Sequence, residues 1–384
     1  MDRIDVAIVG AGPAGCRAAW RLARAGTRVA LFDGSHPREK PCGGGVTGRA
    51  LDLVRDAIDV SSLPAVAIDD ATFEHRSRAA RVELGGRTDR TPQLTVASRT
   101  AFDGTLLAAA LAAGVVLHGE RVTDLSTDEA GWRISTRERT ARASWLLGAD
   151  GPNSFVRRRV GQPFVRADLS IASGFFVHGA RSRSIAIGFE DDPPGYLWSF
   201  PRPDHLAVGV CAQADASQPA ALRTAAAEWI SRNVEGSVRL ERYSWPIPSL
   251  RSSTLERERP YGSRWMLLGD AGGMVDPITR EGIFFALVSG DAAADSLLES
   301  GNPGVRYGER IRARVYEELI RAARLKARFF NPRFTTLLIR ALQDSVSIRR
   351  IMADLVAGQQ SYRGLRRRLL GTLQVGLFLE MMKS

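Results

Sequence analysis

The sequence has few cysteines and histidines and no hydrophobic run long enough to cross a membrane. Its three cysteines and five histidines, in 384 residues, lack the paired or clustered spacing of a metal site. No apolar run reaches the roughly 20 residues that span a bilayer. The first apolar strand starts within four residues, which leaves no room for a signal peptide. We therefore expect a cytoplasmic globular protein without a metal site or structural disulfides.

The positive charge of the chain lies in its C-terminal part. The whole sequence has 53 Lys+Arg and 42 Asp+Glu, a net charge of +11. Residues 301–384 hold 17 of the basic and 6 of the acidic residues, so the first 300 residues hold 36 of each. The arginines have no nucleic-acid-binding motif or aromatic stacking platform beside them, so we expect no nucleic-acid partner. Three alternatives stay open: peripheral contact with the inner face of a membrane, an anionic substrate, or a solvated helix face.

The first thirty residues predict a strand, a glycine turn, a helix and a second strand. The turn is Gly-Ala-Gly-Pro-Ala-Gly at residues 10–15. Its first glycine permits the tight turn, its second lets backbone amides approach a pyrophosphate, and its third allows close packing of helix on strand. The second strand ends at Asp33, where an acid suits a ribose hydroxyl and favours FAD or NAD over NADP. The predicted dinucleotide-binding residues here are Gly10, Gly12, Pro13, Ala14, Gly15 and Asp33.

Two later apolar strands also end in an acid, at Asp150 and Asp270. Open α/β sheets bind ligands at the carboxyl ends of their strands, although either acid alone fits an ordinary turn. Together with the turn at residues 10–15, GADGPNSFVRR at 148–158 and LLGDAGGMVDP at 267–277 resemble the three fingerprints of the FAD-dependent superfamily that includes para-hydroxybenzoate hydroxylase. The resemblance implies FAD as the cofactor. It places Asp150 and Gly151 at the cofactor, Asp270 at the ribityl chain, Arg99 at the pyrophosphate and the backbone of Val122 at the adenine.

Within that superfamily, three further stretches resemble the geranylgeranyl reductase family. KPCGGG at 40–45 is similar to the family's cysteine and glycine loop beside the flavin ring. Residues 193–209 resemble the signature PxxYxWxFPKxxxxxxG, with Arg202 where lysine is usual. Residues 276–283 resemble DPxxGEGI, but Arg280 stands where glycine is expected. The likeness covers roughly residues 4–300, and the last 84 residues contribute no motif.

This resemblance implies which residues contact the flavin ring and which one takes part in the chemistry. Cys42 would donate the proton that accompanies hydride addition, because a free thiol is mostly protonated at neutral pH; the alternative is that Cys42 only packs against the ring. The start of a helix at Gly282 would direct backbone amides at the flavin's N1 and O2 edge. The predicted flavin contacts are Cys42, Gly43, Gly44, Gly45, Val46, Pro277, Gly282 and Ile283.

Alternating aromatic residues at 196–200 predict an apolar wall. Residues two apart in a strand share a face, so Tyr196, Trp198 and Phe200 point one way while Leu197 and Ser199 point the other. Such a wall suits a long apolar substrate, and an ordinary sheet core is the alternative. We predict Tyr196, Trp198, Phe200 and the adjacent Pro201 as substrate-binding residues.

The fold class predicted from these patterns is α/β. A Rossmann-type FAD-binding domain, with a β-meander, is expected at 1–165 and 250–300. It is interleaved with a β-sheet substrate domain at 166–249 and followed by a helical, basic C-terminal region at 301–384. Helical spacing in that region predicts three helices, at 305–330, 333–356 and 362–382.

The functional hypothesis is an FAD-dependent reductase that transfers hydride from reduced flavin to the carbon–carbon double bonds of a geranylgeranyl-type chain. Its substrate would be a hydrophobic lipid, quinone or pigment precursor. An FAD-dependent monooxygenase or tailoring oxidase for an aromatic or polyketide-like substrate is the alternative, and a non-enzymatic flavoprotein is a third. No second nucleotide-binding unit follows the first, so NADPH, NADH or a ferredoxin remains open as electron donor. The sequence does not determine the oligomeric state.

Overall fold

The computed structural model describes residues 4–84 and 92–371, and its strands form three sheets. In chain order the strands are β1 (Ile4–Val9), β2 (Val29–Phe32), β3 (Gly45–Thr47), β4 (Ala65–Ala67), β5 (Asp70–His75), β6 (Arg78–Glu83), β7 (Leu94–Ala97), β8 (Val116–His118), β9 (Asp124–Asp128), β10 (Gly131–Ser135), β11 (Thr140–Gly148), β12 (Leu169–His178), β13 (Ser184–Asp191), β14 (Pro194–Pro201), β15 (His205–Gln213), β16 (Arg239–Pro248), β17 (Tyr261–Gly262) and β18 (Trp265–Leu267).

The helices alternate with strands in the first half of the chain and follow one another in the last quarter. In order they are α1 (Pro13–Arg24), α2 (Gly48–Asp52), α3 (Arg99–Ala112), α4 (Phe155–Val160), α5 (Pro219–Asn233), α6 (Ser252–Arg257), α7 (Ile283–Leu298), α8 (Pro303–Ile311), α9 (Glu317–Phe329), α10 (Pro332–Asp344), α11 (Val346–Val356) and α12 (Tyr362–Leu370). In the part of the chain that the structure describes, no helix is both long and apolar enough to span a bilayer.

The first sheet is the predicted nucleotide-binding sheet. Its central strands run in the order β18-β11-β1-β2-β8, and β1 pairs in parallel with both β2 and β11. Apolar strands suit this position because a parallel sheet is covered on both faces. Helix α1 packs its face of Ala18, Ala19 and Leu22, all fully buried, into the core beside β1. The β-meander of β9, β10 and β11 is present as predicted.

The second sheet takes two strands from a part of the chain that we assigned to the first domain. Its order is β16-β12-β15-β14-β13-β5-β6. Strands β5 and β6 lie within the range 1–165, but β5 pairs in parallel with β13, with Ala71 opposite Ile185 and Phe73 opposite Ile187. The segment 70–83, which we predicted as part of the FAD-binding domain, therefore belongs to the second sheet, and the apolar face of β5 is buried against the C-terminal helices. The other domain bounds remain predictions.

The C-terminal region is helical as predicted, with one difference. Helices α8 and α9, joined by a short π-helical segment at Arg312–Tyr316, correspond to the predicted helix 305–330. The prediction of a single helix at 333–356 was wrong, because the helix is interrupted at Ser345. There the backbone is extended (φ −127°, ψ 115°) and the side chain accepts a hydrogen bond from the amide of Ile348, so Ser345 caps α11. The predicted helix at 362–382 continues beyond residue 371, outside the described residues.

The C-terminal helices cover one part of the second sheet. Side chains from α10 and α11, including Leu338, Ile339 and Met352, are buried in one cluster with Phe73 and Val82 from β5 and β6. The C-terminal helices are therefore packed against the β5–β6 edge of the second sheet, and residues late in the sequence lie beside it.

Candidate active site

A cavity of about 710 Å³ extends from the glycine turn (residues 10–15) to the C-terminal helices. It brings together most of the residues predicted from sequence. The predicted cofactor residues that line it are Gly10, Gly12, Pro13, Ala14, Asp33, Cys42, Gly43, Gly44, Gly45, Arg99, Val122, Asp150, Gly151, Asp270, Gly282 and Ile283. The aromatic wall (Tyr196, Trp198 and Phe200) also lines it.

Four predicted site residues do not line the cavity. Gly15 packs against the turn instead, since a Cβ there would lie 2.0 Å from the carbonyl oxygen of Gly10, which is the close packing expected of the third glycine. Val46 and Pro201 follow Gly45 and Phe200 in their strands, and strand alternation directs them away from the cavity. Pro277 is buried in its loop. The ligand contacts predicted for these four residues stay predictions, since the cavity lining does not include them.

The glycine turn fits a pyrophosphate group. Gly10 has a φ of 104°, and a Cβ at this position would lie 2.3 Å from the carbonyl oxygen of Ala149, so only glycine fits. Gly12 precedes the first residue of α1, and no side chain caps that helix. The first amides of α1 are therefore left for a ligand, and a helix N-terminus favours a negatively charged one.

Asp33 is held as a carboxylate at the edge of the same site. It accepts hydrogen bonds from the amides of Ala11 at 2.8 Å and Ser35 at 2.7 Å, and its Oδ2 lies 2.7 Å from Nδ1 of His36. Burial alone would raise the pKa of Asp33, but His36 and the two amides outweigh it and hold the pKa well below its usual range. Asp33 is therefore charged at neutral pH, as an acceptor for ribose hydroxyls should be.

The other two strand-ending acids lie further along the cavity and differ in their partners. Asp150 accepts hydrogen bonds from the amides of Phe155 at 2.6 Å and Val156 at 3.1 Å, so its carboxylate holds the start of α4. Burial raises its pKa. Gly151 beside it has no atom within 4 Å of a Cβ position and leaves the cavity open. Asp270 pairs with Lys40 at 3.1 Å.

Arg99 is buried between α3 and the loop at residues 40–45, which we call the Cys42 loop. Its guanidinium donates to Asp103 at 2.9 and 2.6 Å and to the sulfur of Cys42 at 3.6 Å. The predicted contact between Arg99 and the pyrophosphate stays a prediction. What the structure adds is a direct link between this arginine and the thiol.

Arg202 fixes the Cys42 loop from the other side. Its fully buried side chain donates to the carbonyl oxygens of Cys42 at 2.5 Å and Gly43 at 3.5 Å, and it pairs with Glu39. Burial alone would raise the pKa of Glu39, but Arg202 outweighs it and lowers that pKa. The sequence marked Arg202 only as a departure from a pattern. Its contacts with a segment about 160 residues away became visible only in the structure.

The aromatic wall follows the predicted alternation. The rings of Tyr196 and Trp198 are 6.0 Å apart, and Phe200 packs so close to the Cys42 loop that a Cβ on Gly43 would lie 2.7 Å from its ring. Leu197 points the other way, into a separate apolar cluster with Val208. Packing explains why two of the consecutive residues of the loop, Gly43 and Gly45, are glycines, since each faces the ring of Phe200 and leaves no room for a Cβ.

Beyond the aromatic wall the cavity continues as an apolar arm that sequence reasoning missed. Its residues come from β5, β7, β13, α9 and α11, and no motif marks them. They are Phe73, Leu94, Ile187, Phe189, Phe329, Met352, Leu355 and Val356. Helical periodicity in the C-terminal region predicts that α9 and α11 bury one face, but it does not predict what that face contacts.

The family of the chain follows from its similarity to known proteins. The model of the FAD binding domain matches residues 3–233, which is more than half of the chain. The chain belongs to this family of FAD-binding proteins. The predicted cofactor, FAD, agrees with the fit of the glycine turn and Asp33.

Relatives place this flavoprotein more narrowly. A menaquinone reductase of Mycolicibacterium smegmatis is 30% identical over 327 residues, which cover 78% of this chain and 77% of the relative. A digeranylgeranylglycerophospholipid reductase of Methanothrix thermoacetophila is 28% identical, with 85% and 88% covered. The chloroplastic geranylgeranyl diphosphate reductase of rice is 26% identical, with 82% and 70% covered. The predicted resemblance to the geranylgeranyl reductase family of FAD-dependent oxidoreductases is confirmed.

Solved structures confirm the fold. A geranylgeranyl bacteriochlorophyll reductase-like protein of Thermoplasma acidophilum superposes with a TM-score of 0.79 at 22% identity, covering 97% of this chain and all of that one. The flavin-dependent brominase Bmp2 has a TM-score of 0.68 at 20% identity. At such identities the likeness establishes the predicted α/β flavoprotein fold and does not separate reductases from oxygenases.

Proposed function

We propose that this flavoprotein reduces carbon–carbon double bonds in a geranylgeranyl-type isoprenoid chain. The observation that carries the proposal is the course of the cavity. It runs from the glycine turn past the Cys42 loop and the aromatic wall into an apolar arm closed by α9 and α11. An elongated apolar space beside the cofactor site suits a prenyl chain better than a compact aromatic ring. The relatives named as geranylgeranyl reductases support the same substrate class.

The reaction needs a hydride and a proton. FAD, when bound and reduced, supplies the hydride. Cys42 lies where the Cys42 loop meets Phe200, and its thiol is the group we assign to donate the proton. The guanidinium groups of Arg99 and Arg202, at 3.6 and 3.9 Å from the sulfur, would stabilise the negative charge left on it. The apolar arm keeps water away from the reacting bond.

The electron donor and the membrane contact are finer parts of the same proposal. Since the sequence has one glycine turn of the dinucleotide-binding kind, we propose that NADPH or NADH docks transiently, with a ferredoxin as the alternative. Helix α12 exposes Arg363, Arg366 and Arg367, and we propose that they hold the protein at an anionic membrane surface that carries the lipid substrate.

The membrane part is tested by vesicle sedimentation. The triple Arg363→Gln, Arg366→Gln, Arg367→Gln variant keeps Tyr362, which donates a hydrogen bond to the buried Asp276 at 3.2 Å and anchors the helix. We expect this variant to lose most of its binding to anionic vesicles, with its FAD content unchanged. Equal sedimentation of variant and wild type would contradict the membrane proposal.

The reductase proposal is tested with the cofactor reduced under anaerobic conditions. Addition of geranylgeranyl diphosphate should reoxidise the flavin, followed by its absorbance. A flavin that stays reduced, combined with hydroxylation of an aromatic substrate in air, would favour the monooxygenase alternative instead.

A further inference from the structure

Two cationic side chains meet beside the cavity without a carboxylate partner. Nη1 of Arg280 and Nζ of Lys326 both donate hydrogen bonds to Oγ of Ser249, the lysine at 2.7 Å. Lys326 also donates to the side-chain oxygen of Gln213. Among residues 4–84 and 92–371, neither cation forms an ion pair with a carboxylate. Partly buried cations usually have an anionic partner, so this cluster requires an explanation.

Arg280 has an unused hydrogen-bonding edge. It lines the cavity, its Nη1 is occupied by Ser249, and its Nε is buried with no hydrogen-bond partner. The edge formed by Nε and Nη2 is one that binds a carboxylate or phosphate through two parallel hydrogen bonds. A buried donor left unsatisfied is costly, so a ligand oxygen at this edge would be favourable.

Lys326 adds a second positive charge behind Arg280. Burial and the nearby Arg280 together lower the pKa of Lys326 to about 7. Two like charges held together in a partly buried position disfavour one another, and an anion between them or beside them would relieve that repulsion.

The backbone at Arg280 supports a role for its side chain. Its φ is 60°, in the left-handed region that favours glycine, and the family pattern has glycine at this position. An arginine here is less favourable for the backbone than the glycine it replaces. A ligand bound by the guanidinium would offset this backbone cost.

The cluster lies at one end of the aromatic wall and Cys42 lies near the other. The hydroxyl of Tyr196 donates to the carbonyl oxygen of Thr279, next to Arg280, at 3.2 Å. Phe200 packs on Gly43, next to Cys42. Phe200 lies four residues after Tyr196 along the strand, a distance of about 13 Å.

We propose that Arg280, with the positive charge of Lys326 beside it, binds the phosphate or diphosphate head group of a prenyl substrate. The chain would then lie along the aromatic wall, and the distance from the head group would determine which double bond reaches Cys42. This inference rests on the proposed function for the identity of the apolar tail. The anion site itself rests on the geometry of Arg280, Ser249 and Lys326.

The test compares two compounds that have the same tail. Oxidised, FAD-loaded protein is titrated with geranylgeranyl diphosphate and with geranylgeraniol, and binding is followed by the change in flavin absorbance. We expect the diphosphate to bind at least about tenfold more tightly than the alcohol, as charge-assisted hydrogen bonds predict. Arg280→Gly and Lys326→Gln should each remove most of that difference. Arg328→Gln, an exposed residue of α9 with the same loss of charge, should retain it.

Several results would overturn the proposal. Equal affinities in the wild type would do so, as would an unchanged affinity ratio in Arg280→Gly. A changed midpoint potential of the flavin in Arg280→Gly, with the ratio unchanged, would assign the cation to the flavin edge and also reject a head-group site. Because binding is measured without turnover, the experiment tests the two proposals separately. Tight diphosphate binding without double-bond reduction would reject only the proposed function. Double-bond reduction without a preference for the diphosphate would reject only the anion site.

Discussion

The glycine-turn end of the cavity presents backbone amides and fixed carboxylates, whereas the opposite end presents apolar side chains from five separate elements. At the first end the groups that matter, from Gly10 to Asp33, lie within one strand-helix-strand unit. At the other end the side chains come from residues as far apart as Phe73 and Val356. The groups proposed for the cofactor are therefore set by a short segment of the chain, whereas those proposed for the substrate depend on how the two sheets and the C-terminal helices assemble.

The largest expected effect comes from breaking the glycine-turn end. Gly10→Ala would bring a Cβ to 2.3 Å from the backbone oxygen of Ala149, so the turn must shift. We expect purified protein without FAD, measured by its flavin absorbance. Gly114→Ala is the matched control, since Gly114 has a similar φ of 95° but no atom within 4 Å of a Cβ position. Gly114→Ala should lower the free energy of unfolding only by the backbone strain, about 1 kcal/mol, and this variant should keep its FAD. FAD retained at wild-type level by Gly10→Ala would contradict this account.

The next effect separates binding from chemistry. Cys42→Ser should keep its FAD and lose about 10²- to 10⁴-fold in the rate of double-bond reduction, because a hydroxyl is a much weaker acid than a thiol. The rate is measured by flavin reoxidation after anaerobic reduction. Unchanged turnover would mean that Cys42 only packs against the cofactor, the alternative that the sequence left open.

Arg202 tests whether the Cys42 loop must be held in place. Arg202→Lys keeps the charge opposite Glu39 and restores the residue usual in the family signature, so we expect activity within several-fold of wild type. Arg202→Met leaves Glu39 and two backbone oxygens without their buried partner, and should cost about 3–5 kcal/mol of stability as well as most of the activity. The two variants are compared by kcat, KM and chemical denaturation. If lysine restored no more activity than methionine, the positioning role would be rejected.

The smallest effect concerns Lys326 and its dependence on pH. Lys326 faces Arg280, Cys211, Asp215 and Asp168, and its pKa in the folded protein is about 7 against 10.5 for an ordinary lysine. The unfolded chain therefore binds the proton more tightly, and the cost of burying the charge is largest below pH 7 and disappears as the pH rises towards 10.5. Lys326→Met should stabilise the protein by roughly 2–3 kcal/mol more at pH 6 than at pH 9, measured by urea unfolding. A difference of the opposite sign would contradict the assignment.

The sequence predicted those features whose cause is local. The turn at residues 10–15, the alternation of Tyr196, Trp198 and Phe200, and the start of α7 at Ile283 each follow from a few neighbouring residues. The place of β5 in the second sheet did not follow, because its partner β13 lies more than a hundred residues away and any strand with a buried face fits several sheets.

The same limit applies inside the site. The alternation of side chains along a strand predicts that Val46 and Pro201 point away from the cavity. The family resemblance nevertheless led us to include both as site residues. The sequence shows Arg202, Arg280 and Lys326 but does not predict which residues they contact. Arg202 acts through the carbonyl oxygens of a distant loop, and Arg280 and Lys326 meet only at Ser249. Such contacts between side chains and remote backbone leave no periodic trace in the sequence.

The central claim is that the cavity holds a prenyl chain against reduced flavin for saturation of a double bond. The most direct measurement is the mass of geranylgeranyl diphosphate after a single anaerobic turnover with the reduced, FAD-loaded enzyme. We predict a product heavier by two hydrogens, formed in proportion to the flavin that is reoxidised. An unchanged mass, or a product that gains an oxygen atom only when air is admitted, would contradict the claim.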